Sequence, residues 1–512
     1  MRAQTCPGRG GRLHLAWLVF LASIGVAGLV VAALVVDTPG ILPGSTTAPR
    51  PLMVFCAAGL RIPVEAAARR YQEEYGTEIQ LQYGGSNTLL ASLEVADRAD
   101  LFIPADDSYT RTARERGLVA EVVPLASMRP VLVVREGNPR QIRSLDDLLS
   151  RDLRIGQANP EAAAIGKLVA DTLKPTERWA QFQKRVAVTK PTVTDVATDV
   201  QLGAIDAAMV WDVTLKAIPG LERVPAPVFD QVQASLSVCV AARTAQPTAA
   251  LRFARFLAAR DQGLRDFETA GFEVVAGDRW SAAPQLRLLA GAMLRPAIEE
   301  TLTRFEQREG VQITRVYNGC GILVAQMRTG GATPDAFFAC DADFMKQVHD
   351  LFAEPATLSS NQLVLLVARG NPHGIRRLRD LAKPGLRVGI GHEKQCAMGV
   401  LTQQTLREDR SHDVVMKNVK VQSPTGDMLV NQMLTGSLDA VIAYISNAAG
   451  HADQLEAIPI DIPCAIADQP FARGRSTEYP YLLGRLLDAL RSHESRERFE
   501  AFGFRWKGAA PR

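Results

Sequence analysis

The most constraining feature of this sequence is that it contains two copies of one unit. The segment GLRIPVEAAARRYQEEYG (59–76) matches MLRPAIEETLTRFEQREG (293–310), and VLVVREGNP (131–139) matches VLLVARGNP (364–372). Matching segments stay 232 to 235 residues apart along almost the whole unit. The chain is therefore a tandem duplication, with repeat 1 at about 52–277 and repeat 2 at about 286–508.

Each repeat alternates short β-rich runs with amphipathic helices. In repeat 1, LMVFCA predicts a strand, and the segment after it carries apolar residues at helical spacing: Val64, Ala67, Ala68 and Tyr71. Such alternation predicts α/β lobes built on parallel sheets. A copy of this length has room for two lobes, so we expect the chain to leave the first lobe near MRPVLVVREGNP and to return near SLSVCVAA.

The N-terminal region differs from the rest of the chain. Residues 1–14 are basic, and residues 15–36 are 22 uncharged, mostly apolar residues. This length predicts a transmembrane helix, and the arginines before it favour a cytoplasmic N-terminus, with the bulk of the chain periplasmic or extracellular. A cleaved signal peptide is the alternative, and it also predicts export. Residues 37–51 are rich in Pro and Gly and predict a linker.

Charge and motifs exclude several classes of function. The net charge is +3 among 113 charged side chains, so no basic footprint for nucleic acid is present. The sequence contains no G-x-S-x-G, no H-E-x-x-H and no phosphate-binding glycine loop. We therefore predict a protein that is not an enzyme, binds no nucleic acid and needs no cofactor.

Several segments of repeat 1 occur in a characteristic order and spacing. They are YGGSNTLLASL (83–93), ADLFIPAD (99–106), GQANPEAAAIG (156–166) and GAIDAAMVW (203–211). Over nearly all of both repeats the chain resembles the periplasmic molybdate-binding family of ABC importers. The resemblance implies two tandem Venus-flytrap units of the periplasmic-binding-protein type, each of two α/β lobes. It also implies a cleft that closes on a small oxyanion similar to molybdate or tungstate, and a partner ABC permease in the membrane.

The chemistry of the strand-to-helix junctions agrees with an anionic ligand. In repeat 1 these junctions fall near Gly59, Ser86, Gly166 and Thr194. Each helix N-terminus offers backbone N–H groups without intrahelical partners and the positive end of a dipole. Such junctions can hold an anion without a buried Lys or Arg.

The resemblance also assigns ligand-contacting positions. In repeat 1 they are Gly59, Ser86, Asn87, Ile165, Val193 and Trp211. Repeat 1 keeps one hydroxyl of the family pattern, has glycine in place of another, and has an indole in place of the family's tyrosine. The alternative interpretation is that Ser86 and Thr194 only cap helices and that Trp211 belongs to the core.

Repeat 2 differs in chemistry at the matching positions. These are Met293, Cys320, Met398, Gly426 and Tyr444, and by the same alignment Cys340 and Cys396 fall near the same cleft. Three interpretations stay open: packing or a disulfide between Cys320 and Cys340, an oxyanion site built from backbone donors, and a soft-metal site of Cys320, Cys340 and Cys396.

These observations predict a membrane-anchored solute-binding protein that captures a small oxyanion for ABC-type import. The alternative is an anchored sensor or interaction protein in which one or both clefts have degenerated, or in which repeat 2 has been adapted to a soft metal. A thiol-dependent enzyme in repeat 2 is a third interpretation.

Overall fold

The computed structural model describes residues 1, 50–330 and 333–508. The predicted anchor, residues 15–36, lies outside the described residues, as does almost all of the basic segment and linker around it. Over the described ranges, no helix combines the length and apolar character that crossing a bilayer requires.

The strands of the two repeats follow the same order along the chain. In repeat 1 they are β1 (Leu52–Ala57), β2 (Ile79–Gly84), β3 (Leu101–Ile103), β4 (Val119–Met128), β5 (Pro130–Arg135), β6 (Ile155–Ala158), β7 (Val186–Lys190), β8 (Ala207–Trp211), β9 (Leu221–Val224), β10 (Ala234–Ala241) and β11 (Glu273–Val274). In repeat 2 they are β12 (Gln285–Gly291), β13 (Gln312–Asn318), β14 (Ala336–Phe338), β15 (Ala356–Ala368), β16 (Val388–Gly391), β17 (Val419–Ser423), β18 (Ala440–Tyr444), β19 (Leu455–Pro459), β20 (Ile466–Arg473) and β21 (Arg505–Trp506).

The helices also correspond between the repeats. In repeat 1 they are Arg61–Tyr75, Ser86–Val95, Asp107–Glu115, Leu145–Ser150, Ala164–Leu173, Arg178–Arg185, Val193–Gln201, Thr214–Ala217, Pro247–Leu257 and Gly263–Thr269. In repeat 2 they are Arg295–Glu309, Cys320–Arg328, Ala342–Lys346, Ala397–Glu408, His412–Met416, Gly426–Leu434, Pro480–Leu490 and His493–Ala501. Short 3-10 turns precede the first helix of each repeat, at Ala58–Leu60 and Ala292–Leu294.

Each repeat has two lobes, each built on its own set of strands. In repeat 1 the first lobe holds a sheet of order β11-β4-β10-β3-β1-β2, and the second lobe a sheet of order β7-β6-β8-β5-β9. The chain passes from β4 to β5 at Arg129 and returns through β10, as the sequence predicts. In repeat 2 one long strand, β15, belongs to both lobes and joins the equivalent strands into a single 10-stranded sheet.

The prediction of parallel sheets is confirmed only in part, because the sheets are mixed. β1 pairs in parallel with β2 and β3, as strands joined through helices do. β10 pairs antiparallel to both β3 and β4, and β5 pairs antiparallel to β8 and β9. The antiparallel pairs involve the strands that carry the chain out of the first lobe and back, and these strands run in opposite directions.

The first helix of repeat 1 shows how the sequence specifies these elements. The predicted inward residues Val64, Ala67, Ala68 and Tyr71 are all buried, with exposed fractions of 0 to 5%. The helix ends at Gly76, whose φ of 66° is the left-handed conformation that glycine adopts without strain. Each repeat has its own hydrophobic core, the first formed within residues 52–272 and the second within residues 286–504.

The two repeats contact each other through buried charges. Glu309, 2% exposed, accepts two hydrogen bonds from Arg485, with N–O distances of 2.6 and 3.1 Å, and one from Arg255 of repeat 1 at 3.2 Å. Nearby, Arg308 binds Glu121 of repeat 1 through two N–O contacts of 2.7 and 3.0 Å. The repeats therefore share an interface that contains a buried Arg–Glu–Arg triad.

Candidate functional site

The two lobes of repeat 1 meet at three of the predicted ligand positions. A methyl carbon placed on Gly59 of the first lobe would lie 3.4 Å from both Val193 and the indole ring of Trp211, which belong to the second lobe. Val193 and Trp211 are 5% and 1% exposed. The structure therefore brings Gly59, Val193 and Trp211 together across a closed cleft, and their burial agrees also with a packing role.

The Ser86 hydroxyl is buried at the first residue of its helix. Its oxygen accepts a hydrogen bond from the backbone N–H of Ala105, at 3.0 Å, and the side chain is 1% exposed. Ala105 follows β3, so this bond fixes the helix N-terminus against the end of the neighbouring strand. The hydroxyl proton makes no hydrogen bond with a described residue and remains able to donate to a ligand.

A direct hydrogen bond joins the lobes beside Ser86. The backbone N–H of Asn87 donates to the carbonyl oxygen of Ala162, at 2.9 Å, and the Asn87 side-chain amide donates to the carbonyl of Glu161, at 2.6 Å. Ala162 and Glu161 lie in the second lobe, in the loop before the helix that contains Ile165. Asn87, a residue that the resemblance assigns to the ligand, therefore donates its N–H groups to the opposite lobe in this closed form.

Gly85 permits this close approach of the lobes. A Cβ atom at Gly85 would lie 2.5 Å from the Ala162 carbonyl oxygen and 3.0 Å from the Pro191 carbonyl oxygen, both in the second lobe. Repeat 2 has the same arrangement, with Gly319 facing the carbonyl oxygens of Gln395 and Pro424 at 2.4 and 2.5 Å. Both repeats therefore close by placing a glycine against two carbonyl groups.

Ile165 and Gly166 occupy the third junction. Ile165 is 1% exposed in the first turn of the helix Ala164–Leu173, so only its backbone N–H can serve a ligand. A Cβ on Gly166 would lie 2.2 Å from the Ala158 carbonyl, so glycine lets this helix start directly against the end of β6.

At the repeat 2 position equivalent to Ser86, the structure has a disulfide. Cys320 and Cys340 are bonded to each other, 20 residues apart, and both are buried. They occupy the positions of Ser86 and Ala105 in repeat 1, and the backbone N–H of Cys340 lies 3.1 Å from the Cys320 sulfur. The disulfide thus forms between two positions that already touch through a hydrogen bond in repeat 1.

The disulfide argues against the soft-metal interpretation of repeat 2. In the bonded form, the sulfurs of Cys320 and Cys340 are not thiolates and cannot act as metal ligands. Cys396, the third suggested ligand, is a buried thiol whose pKa is raised to about 11, chiefly by burial. Within the part of the chain that the structure describes, no group of three or more His, Cys, Asp and Glu side chains is arranged to hold a metal ion.

Tyr444 carries an unsatisfied polar atom in the repeat 2 cleft. Its side chain is 2% exposed, and its hydroxyl has no hydrogen-bond partner among the described residues. Burial, together with the charge of nearby Asp341, raises the pKa of Tyr444 well above its ordinary value. Asp341 accepts a hydrogen bond from the Asp343 N–H, and burial raises its own pKa to about 6. When Asp341 is ionised, its negative charge disfavours an anionic ligand in the repeat 2 cleft.

The remaining repeat 2 positions are closed or apolar. Met293 and Met398 are 6% and 2% exposed. A Cβ on Gly426 would lie 2.3 Å from the side-chain oxygen of Asn447, which in turn accepts a hydrogen bond from the Tyr444 N–H, at 3.2 Å. Repeat 2 therefore keeps the architecture of the cleft but offers fewer donors to an anion.

Sequence reasoning missed the residues that meet across the cleft without being part of the family pattern. The carbonyl groups of Glu161 and Ala162 carry no side-chain signal, so only the closed geometry reveals them. Arg61 and Lys216 line a pocket beside Gly59. Arg61 follows the strand that ends at Ala57, and Lys216 follows the strand that ends at Trp211. A search for cations just after strand ends would have found both.

Gly85→Ala is expected to weaken binding of a solute in the closed cleft of repeat 1 by roughly 10- to 100-fold, because overpacking of this kind costs about 1–3 kcal/mol. The clash arises only in the closed form, so the fold and its circular dichroism spectrum should stay unchanged. Titration calorimetry with molybdate, the kind of ligand that the sequence resemblance implies, measures the effect. Gly319→Ala, the same change in repeat 2, is the matched control and should leave binding by repeat 1 unchanged. Equal effects of both substitutions would contradict a binding site in repeat 1.

Comparison with known proteins identifies the family. The family described as "Bacterial extracellular solute-binding protein" matches residues 52–273 and, a second time, residues 286–505. A putative binding protein of Haemophilus influenzae is 27% identical over 159 residues, which are 31% of this chain and 65% of that protein. The molybdate-binding protein ModA of Mycobacterium tuberculosis is 29% identical over 181 residues, 34% of this chain and 67% of that protein. The chain spans about two thirds of the length of these curated relatives.

Two solved structures are similar to less than half of this chain. The periplasmic molybdate-binding protein of Azotobacter vinelandii is 19% identical, with a TM-score of 0.37, over 43% of this chain and 98% of its own. The substrate-binding domain of a putative molybdenum ABC transporter from Clostridium difficile is 21% identical, with a TM-score of 0.35, over 44% of this chain and 99% of its own. Since the family matches both repeats over nearly their full length, this chain belongs to the bacterial extracellular solute-binding proteins, as two tandem copies.

Proposed function

We propose that this protein captures a small oxyanion, similar to molybdate or tungstate, in the cleft of repeat 1 and presents it to an ABC permease. The proposal depends on one observation above all: the lobes of repeat 1 close on each other at the helix N-terminus that begins with Ser86. In this closed form the Asn87 N–H is bound to Ala162, so the donor that the helix N-terminus leaves to an anion is the buried Ser86 hydroxyl. The curated relative named as molybdate-binding supports this ligand class.

Closure couples binding to transport. A ligand that bridges both lobes contacts all of its donors only when the cleft closes, so its binding energy favours the closed state. A permease that recognises the closed form would then distinguish the loaded protein from the empty one. No bond of the solute is broken in this cycle, and the proposed role is not enzymatic.

We further propose that residues 15–36 anchor the protein in the cytoplasmic membrane and leave both repeats on the periplasmic or extracellular side. The apolar length and the preceding arginines support this arrangement. The linker 37–51 would then hold repeat 1 away from the bilayer surface.

The features of the repeat 2 cleft favour a role other than anion capture for this part of the chain. Its cleft has a disulfide at the position of Ser86 and the ionisable Asp341 close to Tyr444. These features fit a sensor or interaction module better than a second oxyanion site.

Thermal unfolding of the full chain tests the proposed function. Molybdate or tungstate at 100 times its dissociation constant should stabilise the folded state by about 2.7 kcal/mol. Sulfate and phosphate in parallel samples define the selectivity among tetrahedral anions. If none of the four anions raises the unfolding temperature, the proposed function is wrong.

A further inference from the structure

A pocket of about 390 Å³ opens in repeat 1 where the two lobes meet, next to the predicted ligand position Gly59. The first lobe contributes Arg61, Ile62 and Phe272 to its lining, and the second lobe contributes Lys216. Because both lobes line the pocket, a solute held there would bridge them and would favour closure in the same way as a ligand in the cleft.

The size of the pocket exceeds what a bare oxyanion fills. Its volume falls within the roughly 300–1,000 Å³ range of pockets that bind organic small molecules. A tetrahedral anion of five heavy atoms would leave most of this space to water.

The lining combines apolar surface with positive charge. Ile62 is 52% exposed, and the pocket lies over it and the buried ring of Phe272. Lys216 makes no hydrogen bond or ion pair with any described residue. Asp266, the acidic residue in the lining, is already paired with Arg70. The pocket therefore offers one unpaired cation beside an apolar wall, which is the pattern that a partly apolar anion matches.

The contacts inside the cleft indicate where such a solute has room. Gly59 is packed against Val193 and Trp211, and the Asn87 N–H is bound to Ala162. The open volume is lined by Gly59 and Lys216 but not by Val193, Trp211 or Asn87. In repeat 2 the position of Lys216 is occupied by Ala449, so the same cation is absent there.

We propose that the anion bound by repeat 1 is the charged group of an organic solute. Its anionic group lies between the Gly59 turn and Lys216, and its apolar body lies against Ile62 and Phe272. This inference rests on the proposed function and narrows its ligand class from inorganic oxyanions to organic anions with a compact apolar part.

Titration calorimetry on the full chain tests the inference with phosphate, methylphosphonate and phenylphosphonate. Phenylphosphonate is expected to bind at least 10-fold more tightly than phosphate, because its ring covers the apolar wall. Ile62→Ser should remove most of that advantage and leave the affinity for phosphate within about 2-fold. Lys216→Glu should weaken binding of phenylphosphonate by at least 10-fold. Lys184→Glu is the matched control, since Lys184 is an exposed second-lobe lysine without an ion pair among the described residues.

Three outcomes would contradict the inference, and they differ in whether the proposed function still stands. If phosphate or molybdate binds and phenylphosphonate binds no more tightly, the inference is wrong and the proposed function stands. If Lys216→Glu and Lys184→Glu weaken binding of phenylphosphonate equally, the pocket is not part of the binding site and the inference is again wrong. If neither the inorganic anions nor the phosphonates bind, the inference and the proposed function both fail.

Discussion

Replacing Glu309 by alanine is expected to lower the free energy of unfolding by about 3–5 kcal/mol, the usual cost of removing one partner from a buried ion pair. Glu309 is 2% exposed and binds Arg255 of repeat 1 and Arg485 of repeat 2. Without its carboxylate, two buried guanidinium groups would lose the ion-pair partner that they share. Urea unfolding at neutral pH measures the loss.

The same glutamate predicts a pH dependence with a defined sign. Burial alone would raise the pKa of Glu309, but Arg485 and Arg255 outweigh burial and hold it below its ordinary value of 4.5. A carboxyl with a lowered pKa in the folded state contributes stability that is complete above about pH 4.5 and is lost as the pH falls through the folded-state value. The difference between the wild type and Glu309→Ala should therefore shrink in acid.

Glu300→Ala is the matched control for Glu309→Ala. Glu300 lies on the same helix, is 50% exposed, and pairs with Arg304 and Arg498 at the surface. An exposed pair of this kind contributes about 0–1 kcal/mol. Equal losses of stability in the two variants would contradict a structural role for the buried triad.

The sequence was sufficient to predict most of the fold but not the way the strands pair. The duplication and the helical spacing from Val64 to Tyr71 are local signals, and the structure confirms both the tandem units and the first helix. The antiparallel pairing of β10 with β3 and β4 is not local. The relative direction of these strands depends on where the chain crosses between the lobes. The alternation of strands and helices carries no information on that crossing.

The candidate site was predictable only in part for a similar reason. The family pattern led to Gly59, Val193 and Trp211, which do meet in the structure. The bond from Asn87 to Ala162 depends on how far the lobes close, and a carbonyl group has no sequence signature. The buried triad could not be predicted because its residues are far apart in the sequence. Glu309 is 54 residues from Arg255 and 176 from Arg485 along the chain.

Breaking the disulfide of repeat 2 is expected to cost about 3 kcal/mol of unfolding free energy. A bond between residues 20 apart restricts the unfolded chain, and the chain-entropy estimate for a loop near this length is about 3 kcal/mol. Because the bond ties the start of the helix Cys320–Arg328 to the end of β14, its loss should also loosen the repeat 2 cleft. Urea unfolding with and without dithiothreitol measures the change.

The double variant Cys320→Ala/Cys340→Ala provides the control. Four other described cysteines, Cys56, Cys239, Cys396 and Cys464, are free thiols, so the reductant should have no effect once the pair is removed. Thiol titration of the unfolded, unreduced Cys6→Ala chain, whose six cysteines all lie in the described ranges, should find four free thiols, since two of the six are bonded. Six free thiols would show that the pair is reduced, and the cysteines of repeat 2 would then again be available as soft-metal ligands.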